Sequence, residues 1–261
     1  MSGLKTDKLT LSRGGRLLLH DLDVQLNPGR VTVVLGPNGA GKSSLLLALA
    51  GMLAPDAGSV MLGSRSLDVI SRSELARIIG WQGGMPPTEF GLSVEQRLML
   101  AMQGGLNAAE GDSQRENACE SMEVLSLRQR ALGELSSGER QRVELAAMLV
   151  RDCPIWLLDE PCAHLDIRHQ VAWVGIMRRQ ARRGKAVLAV LHDVQQAAAI
   201  ADDVMLIYGD GRVACGAAQD LLRADVLSDL LQTGLRQLGD GVVGDRVLLP
   251  DYHCGESVDG L

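Results

Sequence analysis

The amino-acid sequence predicts an α/β fold in which a parallel β-sheet is joined to an N-terminal antiparallel β subdomain and an inserted α-helical subdomain. Two observations support this prediction. Apolar runs with the length and β-branched composition of buried strands recur through residues 1–83 and 151–235. Residues 84–150 have a helical pattern instead. We therefore predict one domain over residues 1–235, with this segment inserted into its core, and a tail over residues 236–261.

The individual elements follow from the placement of apolar runs, turn residues and helix formers along the chain. We predict strands over residues 8–11, 17–26, 30–35, 59–62, 78–81, 155–158, 186–191, 204–208 and 212–215. We predict helices over residues 44–50, 73–77, 93–103, 112–130, 167–183, 195–201 and 217–232, with a break over residues 104–111. The first two strands are expected to be antiparallel, and the chain from Gly239 is expected to be only partly ordered.

A phosphate-binding loop follows the strand predicted over residues 30–35. It fits the pattern G-x-x-x-x-G-K-[ST] and leads into a helix-forming run, which is the context that this motif requires. Its glycines let successive backbone N–H groups face one concavity, and the following helix adds the positive end of its dipole. Lys42 can reach the β- and γ-phosphates, and the Ser43 hydroxyl can bind Mg²⁺. The residues expected to bind a nucleotide triphosphate are Gly36, Pro37, Asn38, Gly39, Ala40, Gly41, Lys42, Ser43 and Ser44.

Polar residues follow three further buried strands, at Gln82, at Asp159-Glu160 and at His192. Ligands of an open parallel sheet bind outside the carboxyl ends of its strands, so we expect these residues to converge on the triphosphate. Asp159 is the expected Mg²⁺ carboxylate, and Glu160 is placed to orient or deprotonate the attacking water. His192 is the expected γ-phosphate contact. The alternatives are a helix N-cap for the acidic pair and a surface or core role for the histidine.

Composition and charge exclude several classes of function. Apolar residues make up 46% and charged residues 22% of the 261-residue chain, as is ordinary for a globular protein. A net charge of −6 and a pI near 5.4 argue against a nucleic-acid partner. The N terminus has no signal-peptide core, and no apolar run approaches the ~20 residues that span a bilayer. Five scattered cysteines without a C-x-x-C pair favour a reducing compartment over disulfides or zinc.

A second motif covers residues 135–139, where the sequence reads Leu-Ser-Ser-Gly-Glu. It resembles the LSGGE signature of ATP-binding cassette (ABC) ATPases, which are P-loop NTPases, with Ser137 in place of the first glycine. Further motifs match that family in order: Gln82 the Q-loop, residues 155–160 the Walker B strand, residues 163–166 the D-loop and His192 the switch histidine. The resemblance covers about residues 4–230. A polar helix start, the structural alternative for the signature, is compatible with it because such a start is itself an anion site.

The resemblance implies an ATPase that binds ATP and Mg²⁺ and works as a head-to-tail homodimer with two ATP molecules between its subunits. Each ATP would lie on the phosphate loop of one subunit and under Ser136, Ser137 and Gly138 of the other. Asp166 in the D-loop would also belong to the nucleotide site. Gln82 would act in catalysis and at Mg²⁺, and would couple the nucleotide to a partner docked on the helical insertion.

Three positions depart from the family pattern. The family usually has an aromatic residue near Arg13 that stacks on adenine, and an arginine plane can also stack on a base, so Arg13 is the expected base contact. Ser137 adds a side chain that faces the second nucleotide. Cys162 stands where Thr or Ser is usual after the Walker B proline, and we interpret it as a small packing residue.

Residues 165–170 and 191–197 resemble the iron-siderophore, haem and vitamin B12 importer branch, which has LD-x-x-HQ and VLHD-x-x-QA at these places. One cassette without a membrane span implies a separate integral membrane permease, a substrate-binding protein reached through it, and a peripheral location at the cytoplasmic face of the inner membrane. The alternatives are the ATPase of another importer or of an exporter, and a non-transport cassette of DNA repair or translation. Residues 44–134 leave no room for the coiled coil of repair members, and translation members carry two cassettes.

Overall fold

A computed structural model of the protein describes residues 3–84, 91–102, 108–238 and 247–250. The strands are β1 (Leu4–Arg13), β2 (Arg16–Leu22), β3 (Gln25–Leu26), β4 (Val31–Leu35), β5 (Ala57–Leu62), β6 (Arg65–Ser66), β7 (Ile79–Gln82), β8 (Ile155–Asp159), β9 (Ala186–Val190), β10 (Asp203–Ile207), β11 (Val213–Ala217), β12 (Leu235–Leu238) and β13 (Val247–Pro250). The helices are α1 (Lys42–Leu49), α2 (Arg72–Ile78), α3 (Val94–Ala101), α4 (Ala108–Ser121), α5 (Ser137–Arg151), α6 (Ile167–Arg182), α7 (Val194–Ile200), α8 (Ala218–Leu221) and α9 (Ala224–Leu231).

The central sheet has the strand order β11-β10-β4-β9-β8-β7 among the described strands. Every neighbouring pair from β10 to β7 is parallel, and β11 is antiparallel to β10. All residues of β4 and β9 are buried, because helices or the second sheet cover both faces. Alternate residues therefore enter different cores: Val33 packs with the residues of α5 and α6, and Val34 with those of α1 and β1. The predicted parallel α/β core is confirmed.

The N-terminal sheet is antiparallel, with the order β2-β1-β5-β6 and β3 paired to β1. The single strand predicted over residues 17–26 is wrong, because the chain leaves the ladder between β2 and β3. At this break the Thr6 hydroxyl donates to the carbonyl oxygen of Leu22 at 2.6 Å and accepts from the N–H group of Val24 at 2.9 Å. The side chain of a neighbouring strand thus replaces the ladder bonds.

Helices α3, α4 and α5 lie between β7 and β8 in the chain, as the predicted insertion requires. The break predicted over residues 104–111 is too long, since α4 begins at Ala108; residues 103–107 lie outside the described ranges. Gly111 is helical and approaches Met102 so closely that a Cβ atom on it would lie 2.2 Å from the Met102 methyl carbon. Gly111 therefore allows close packing within a helix, whereas the sequence predicts that it breaks the helix.

The helices predicted over residues 112–130 extend too far, because α4 ends at Ser121 and is followed by a 3-10 turn at residues 125–127. Glu123 has a φ of +53°, which a continuing helix does not allow. The Arg142 guanidinium on α5 donates to the carbonyl oxygens of Met122 at 3.1 Å and Glu123 at 2.7 Å. A long-range contact thus binds the carbonyl groups that follow the helix.

The C-terminal part of the domain confirms the predicted hairpin, formed by β10 and β11. The closing helices predicted over residues 217–232 are α8 and α9. Strands β12 and β13 pair with each other, while residues 239–246 and 251–261 of the predicted tail lie outside the described ranges. Across the described residues, no helix combines the length and apolar character needed to cross a membrane.

Candidate functional site

The phosphate loop connects the carboxyl end of β4 to the first residue of α1. Gly39 and Gly41 have φ values of +76° and +107°, which a side chain would oppose. A Cβ atom on Gly41 would also come within 3.0 Å of the Leu18 side chain. Gly41 occupies the N-cap position of α1 and offers no capping side chain, so the first N–H groups of the helix are available to an anion.

Lys42 is the first residue of α1, and its side chain turns back over the loop. The Nζ atom donates to the carbonyl oxygens of Gly36 and Pro37, at 2.8 Å each. The residue is only 6% exposed, and burial lowers the pKa of the ammonium group, against the charges of Glu160 and Asp159, which raise it. These contacts hold a cation beside the concavity of the loop.

The Ser43 hydroxyl forms a hydrogen bond with the Asp159 carboxylate at the end of β8. Burial raises the pKa of Asp159, and the bond from Ser43 lowers it in part. The Oδ1 atom of Asp159 and the Oε1 atom of Gln82 are both buried without a hydrogen-bond partner among the described residues. Gln82 pairs with Leu158, the residue before Asp159, so two unsatisfied oxygens lie on adjacent strands.

This set of donors fits Mg²⁺. A hydroxyl, a carboxylate and an amide oxygen are the hard ligands that the ion prefers, together with water and phosphate. Buried oxygens without partners are costly unless a ligand satisfies them. Ser43, Asp159 and Gln82 are therefore the candidate ligands.

Glu160 and His192 meet at the edge of the sheet formed by β8 and β9. The His192 Nε2 atom lies 2.6 Å from Glu160 Oε1, with the two side chains 48% and 44% exposed. Glu160 has a φ of +51°, an unusual value for a residue that is not glycine. Its backbone turns sharply after the strand, and its side chain lines the cavity over the phosphate loop. A carboxylate held there can accept a proton from water.

A cavity of about 350 Å³ covers the phosphate loop. It brings Glu160 together with Arg13 and with six of the nine residues expected at the phosphate loop. Arg16 and Leu18, which are not predicted from the sequence, also line it. Arg16 pairs with Arg13 across the Gly14-Gly15 turn and donates to the Gly209 carbonyl oxygen. The two glycines between the arginines indicate a two-residue hairpin turn. Such a turn places its flanking residues opposite each other, so it predicts that Arg16 lies beside Arg13. The lining is Arg13, Arg16, Leu18, Asn38, Gly39, Gly41, Lys42, Ser43, Ser44 and Glu160.

The signature residues Ser136, Ser137 and Gly138 are not among the residues that line this cavity. They form the start of α5, where a capping box joins Ser136 to Glu139. The Ser136 hydroxyl accepts from the Glu139 N–H group at 3.2 Å, and the Glu139 carboxylate accepts from the Ser136 N–H group at 2.8 Å. These bonds hold the pKa of Glu139 below its usual range.

The start of α5 lies against the D-loop. A Cβ atom on Gly138 would come within 2.9 Å of the His164 carbonyl oxygen, so the close approach requires glycine. Asp166 caps α6 through the His169 N–H group at 2.9 Å and also contacts His169 Nδ1 at 2.8 Å. The hydrogen bond from the backbone of His169 lowers the pKa of Asp166. Signature and D-loop thus form a second cluster in the same chain.

A second cavity, of about 360 Å³, lies between α2 and β7 on one side and α3 and α5 on the other. Gln82 lines it, as does Trp81, whose Nε1 atom is buried without a partner among the described residues. The Arg97 guanidinium and the Glu144 carboxylate form an ion pair in its wall, at 2.5 Å. We call this cavity the Gln82 groove; its lining is Ser73, Ala76, Arg77, Trp81, Gln82, Arg97, Leu100, Ala101, Glu144, Ala147, Met148 and Arg151.

Comparison with known proteins gives consistent matches. A family model described as ABC transporter matches residues 19–163. The hemin import ATP-binding protein HmuV of Hahella chejuensis is 34% identical over 253 residues, covering 93% of this chain and 98% of that protein. The achromobactin transport ATP-binding protein CbrD of Dickeya dadantii is 30% identical over 256 residues, covering 96% and 95%. A solved ATP binding subunit of an ABC transporter superposes with a TM-score of 0.80 at 24% identity, covering 88% of this chain and 98% of that chain.

Proposed function

The chain belongs to the ABC transporter family of ATPases, and we propose that it energises the uptake of an iron chelate, either a siderophore or haem, through a separate membrane permease. The relatives named for hemin and achromobactin transport match over more than nine-tenths of the chain, which is the observation that carries this proposal. The segments 165–170 and 191–197 support the same importer branch. The protein would lie peripherally at the cytoplasmic face of the membrane.

In the proposed hydrolysis, the phosphate loop and Lys42 hold the β- and γ-phosphates of ATP. Glu160 orients the attacking water and accepts its proton, while His192 contacts the γ-phosphate. Transfer of the γ-phosphoryl group to this water releases ADP and phosphate. Arg13, supported by its neighbour Arg16, lies against the base. The 2.6 Å contact between Glu160 and His192 supports a joint role for the two side chains.

The ion proposed at Ser43, Asp159 and Gln82 would neutralise charge on the β- and γ-phosphate oxygens when bound. The chain's own contribution is to present these three oxygens from α1, β8 and β7. Asp159 is kept in place by the Ser43 hydroxyl, and Gln82 by the ladder between β7 and β8. The buried position of the two unsatisfied oxygens excludes bulk water from them.

We propose a head-to-tail homodimer because the signature lies outside the cavity of its own chain. Ser136, Ser137 and Gly138 stand at the start of a 15-residue helix whose uncapped N–H groups would form an anion site, and none of the three lines the cavity over the phosphate loop of the same chain. A second copy would place its loop under this site and so complete two ATP sites per dimer. Asp166 lies against the same cluster and would face that junction.

The Gln82 groove is the proposed docking surface for the permease. It adjoins the residue proposed at Mg²⁺, and its wall combines three arginines with one glutamate and with apolar Leu100 and Met148. This lining suits a short permease helix with an acidic residue and an apolar face. The ATPase itself would be coupled to a substrate-binding protein only indirectly, through the permease.

The transport proposal is tested by uptake in the host organism. Deletion of the gene should abolish accumulation of ⁵⁵Fe supplied as a ferric siderophore or as haem. The wild-type gene should restore it, and the Glu160→Gln gene should not. Normal uptake of both chelates in the deletion strain would overturn the importer assignment, and impaired efflux of another compound would identify an exporter.

The docking surface is tested with Leu100→Glu, which places a charge on a side chain that is 69% exposed in the groove. We expect loss of co-purification with the permease while ATP binding is kept. The matched control is Met52→Glu, on a 55% exposed apolar residue after α1 that does not line the groove. Equal association of both variants with the permease would refute the assigned surface.

A further inference from the structure

The side-chain amides of Gln170 and Gln196 join the start of α6 to α7. The Gln196 Nε2 atom donates to Gln170 Oε1 at 2.8 Å, between two half-buried side chains 26 residues apart in sequence. Gln170 Nε2 in turn donates to the Leu165 carbonyl oxygen at 3.1 Å and lies 3.4 Å from the Cys162 carbonyl oxygen. A backbone carbonyl oxygen can only accept a hydrogen bond, so the Gln170 Nε2 atom must face the Leu165 carbonyl group. The Gln170 Oε1 atom then accepts from Gln196 Nε2.

The carbonyl groups that Gln170 holds belong to the segment over residues 160–166, which begins at Glu160. Two residues of this segment that are not glycine, Glu160 and His164, have φ values of +51° and +62°. Such conformations cost free energy and persist only where the surrounding structure imposes them. The segment therefore depends on bonds from outside itself.

A third helix holds the same segment from the other side. Gln141 on α5 donates from Nε2 to the Pro161 carbonyl oxygen at 2.8 Å, in a buried contact. The amides of Gln141 and Gln170 thus bind carbonyl groups on either side of the turn that follows Glu160. Among the described residues, the Gln170 amide also bonds to α7, through Gln196.

Gln196 lies in the first turn of α7, four residues after His192, which precedes the Asp193 cap of that helix. A shift of α7 against the start of α6 would therefore move His192 relative to Glu160. The Gln170–Gln196 bond opposes that shift, since it connects the segment that carries Glu160 to the helix that follows His192. The 2.6 Å contact between the two catalytic candidates depends on this relative position.

We propose that Gln170 and Gln196 are positioning residues for ATP hydrolysis, whose hydrogen bond fixes the Glu160 segment relative to His192. This inference rests on the catalytic roles proposed above for those two residues. Neither glutamine lines the cavity over the phosphate loop, so neither needs to touch the nucleotide. Their loss should therefore slow the chemical step without weakening ATP binding.

The test measures kcat and KM for MgATP hydrolysis, and the thermal unfolding midpoint, for the full chain with Gln170→Ala, Gln196→Ala and both changes together. We expect each single variant to lower kcat by about 10-fold or more, because small misplacements of catalytic groups cost that much. KM should stay within about twofold. The unfolding midpoint and the titrated number of ATP-binding sites per chain distinguish this effect from a loss of folded protein, which would also lower the apparent kcat at unchanged KM. The double variant should be no slower than the slower single variant, since both changes break one link.

Two further variants sharpen the result. Gln170→Glu keeps the acceptor for Gln196 but removes the donor to the Leu165 carbonyl group, and should lower kcat without changing the fold. Gln180→Ala is the matched control, a half-buried glutamine on the same helix outside the network, and should hydrolyse ATP at the wild-type rate.

Wild-type kcat in Gln170→Glu and Gln196→Ala would overturn the proposal, as would losses that multiply in the double variant. A kcat loss matched by the Gln180→Ala control would overturn it as well. The Glu160→Gln variant tests the proposed catalytic role independently of the glutamine variants. A wild-type rate of ATP hydrolysis in Glu160→Gln would refute that role, whatever the rates of the glutamine variants.

Discussion

The Nε2 atom of His192 lies 2.6 Å from Oε1 of Glu160, so side chains that follow two adjacent parallel strands are in contact. A carboxylate has two oxygens, and one can hold the imidazole while the other accepts a hydrogen bond from water. The contact thus keeps the proposed base oriented before the nucleotide reaches its site.

Glu160→Gln should keep nucleotide binding and cut turnover by about 100-fold or more, because the amide cannot take the proton of the attacking water. Steady-state phosphate release and the affinity for a fluorescent ATP analogue measure the two effects. The variant should also accumulate as an ATP-bound dimer in size-exclusion chromatography. Glu74→Gln, at an exposed surface pair with Arg65, is the matched control and should behave as wild type. Near wild-type hydrolysis by Glu160→Gln would remove this residue from the mechanism.

Lys42→Ala should abolish nucleotide affinity, because it removes the buried ammonium group that is held by two carbonyl oxygens of the loop. Equilibrium binding of ATP and ADP measures the change, and circular dichroism checks that the fold is kept. Lys5→Ala, at an exposed position of β1, controls for the loss of a positive charge. Unchanged ATP binding by Lys42→Ala would refute the phosphate-loop assignment.

Asp159→Asn should stabilise the nucleotide-free protein while abolishing Mg²⁺-dependent hydrolysis. Burial raises the pKa of Asp159, so the folded state binds this proton more tightly than the unfolded state. That contribution to stability is present at low pH and is lost as the pH rises through the folded-state pKa. At pH 7 the free energy of unfolding of the variant should therefore exceed that of wild type by on the order of 1 kcal/mol. Gains of this size are common where a functional residue is kept at the expense of stability.

Urea unfolding at several pH values measures this effect. The advantage of Asp159→Asn over wild type should shrink as the pH falls, because both side chains are then neutral. A variant that is less stable than wild type at pH 7 would contradict the burial argument.

The Cys162 thiol should resist alkylation in the folded protein. Burial raises its pKa to about 12, so the reactive thiolate is a minute fraction of the population at pH 8. Mass spectrometry after iodoacetamide treatment should find Cys162 unmodified in the native protein and modified after unfolding in urea. Rapid native labelling would contradict its assignment as a buried packing residue.

Several features of the fold and the site could be predicted because they depend on short segments of chain. The phosphate loop needs glycine at Gly39 and Gly41 for left-handed backbone, and those requirements are visible in one stretch of sequence. Apolar runs that end in a polar residue similarly predict the two strands whose last residues are Gln82 and Asp159. Arg13 could be placed at the loop only through resemblance, and its neighbour Arg16 was missed although the intervening turn indicates it.

The predictions that failed depend on distant residues. The strand predicted over residues 17–26 breaks where Thr6 binds its backbone groups, and the helical stretch predicted over residues 112–130 is interrupted where Arg142 binds the carbonyl groups of Met122 and Glu123. Neither partner can be identified from local pattern. The domain boundaries and the roles of the site residues stay predictions.

The sequence by itself determined which chemical groups the protein carries and the order in which they occur, because glycine conformations, helix caps and strand periodicity act within a few residues. Only the tertiary structure decided which of those groups meet. The adjacency of β8 and β9 brings Glu160 to His192, and the packing of α6 against α7 brings Gln170 to Gln196. Such contacts depend on the strand order and on helix packing, which are set by burial of the whole core and not by any single segment. The phosphate loop is complete in one stretch of chain, whereas the site around it exists only in the folded protein.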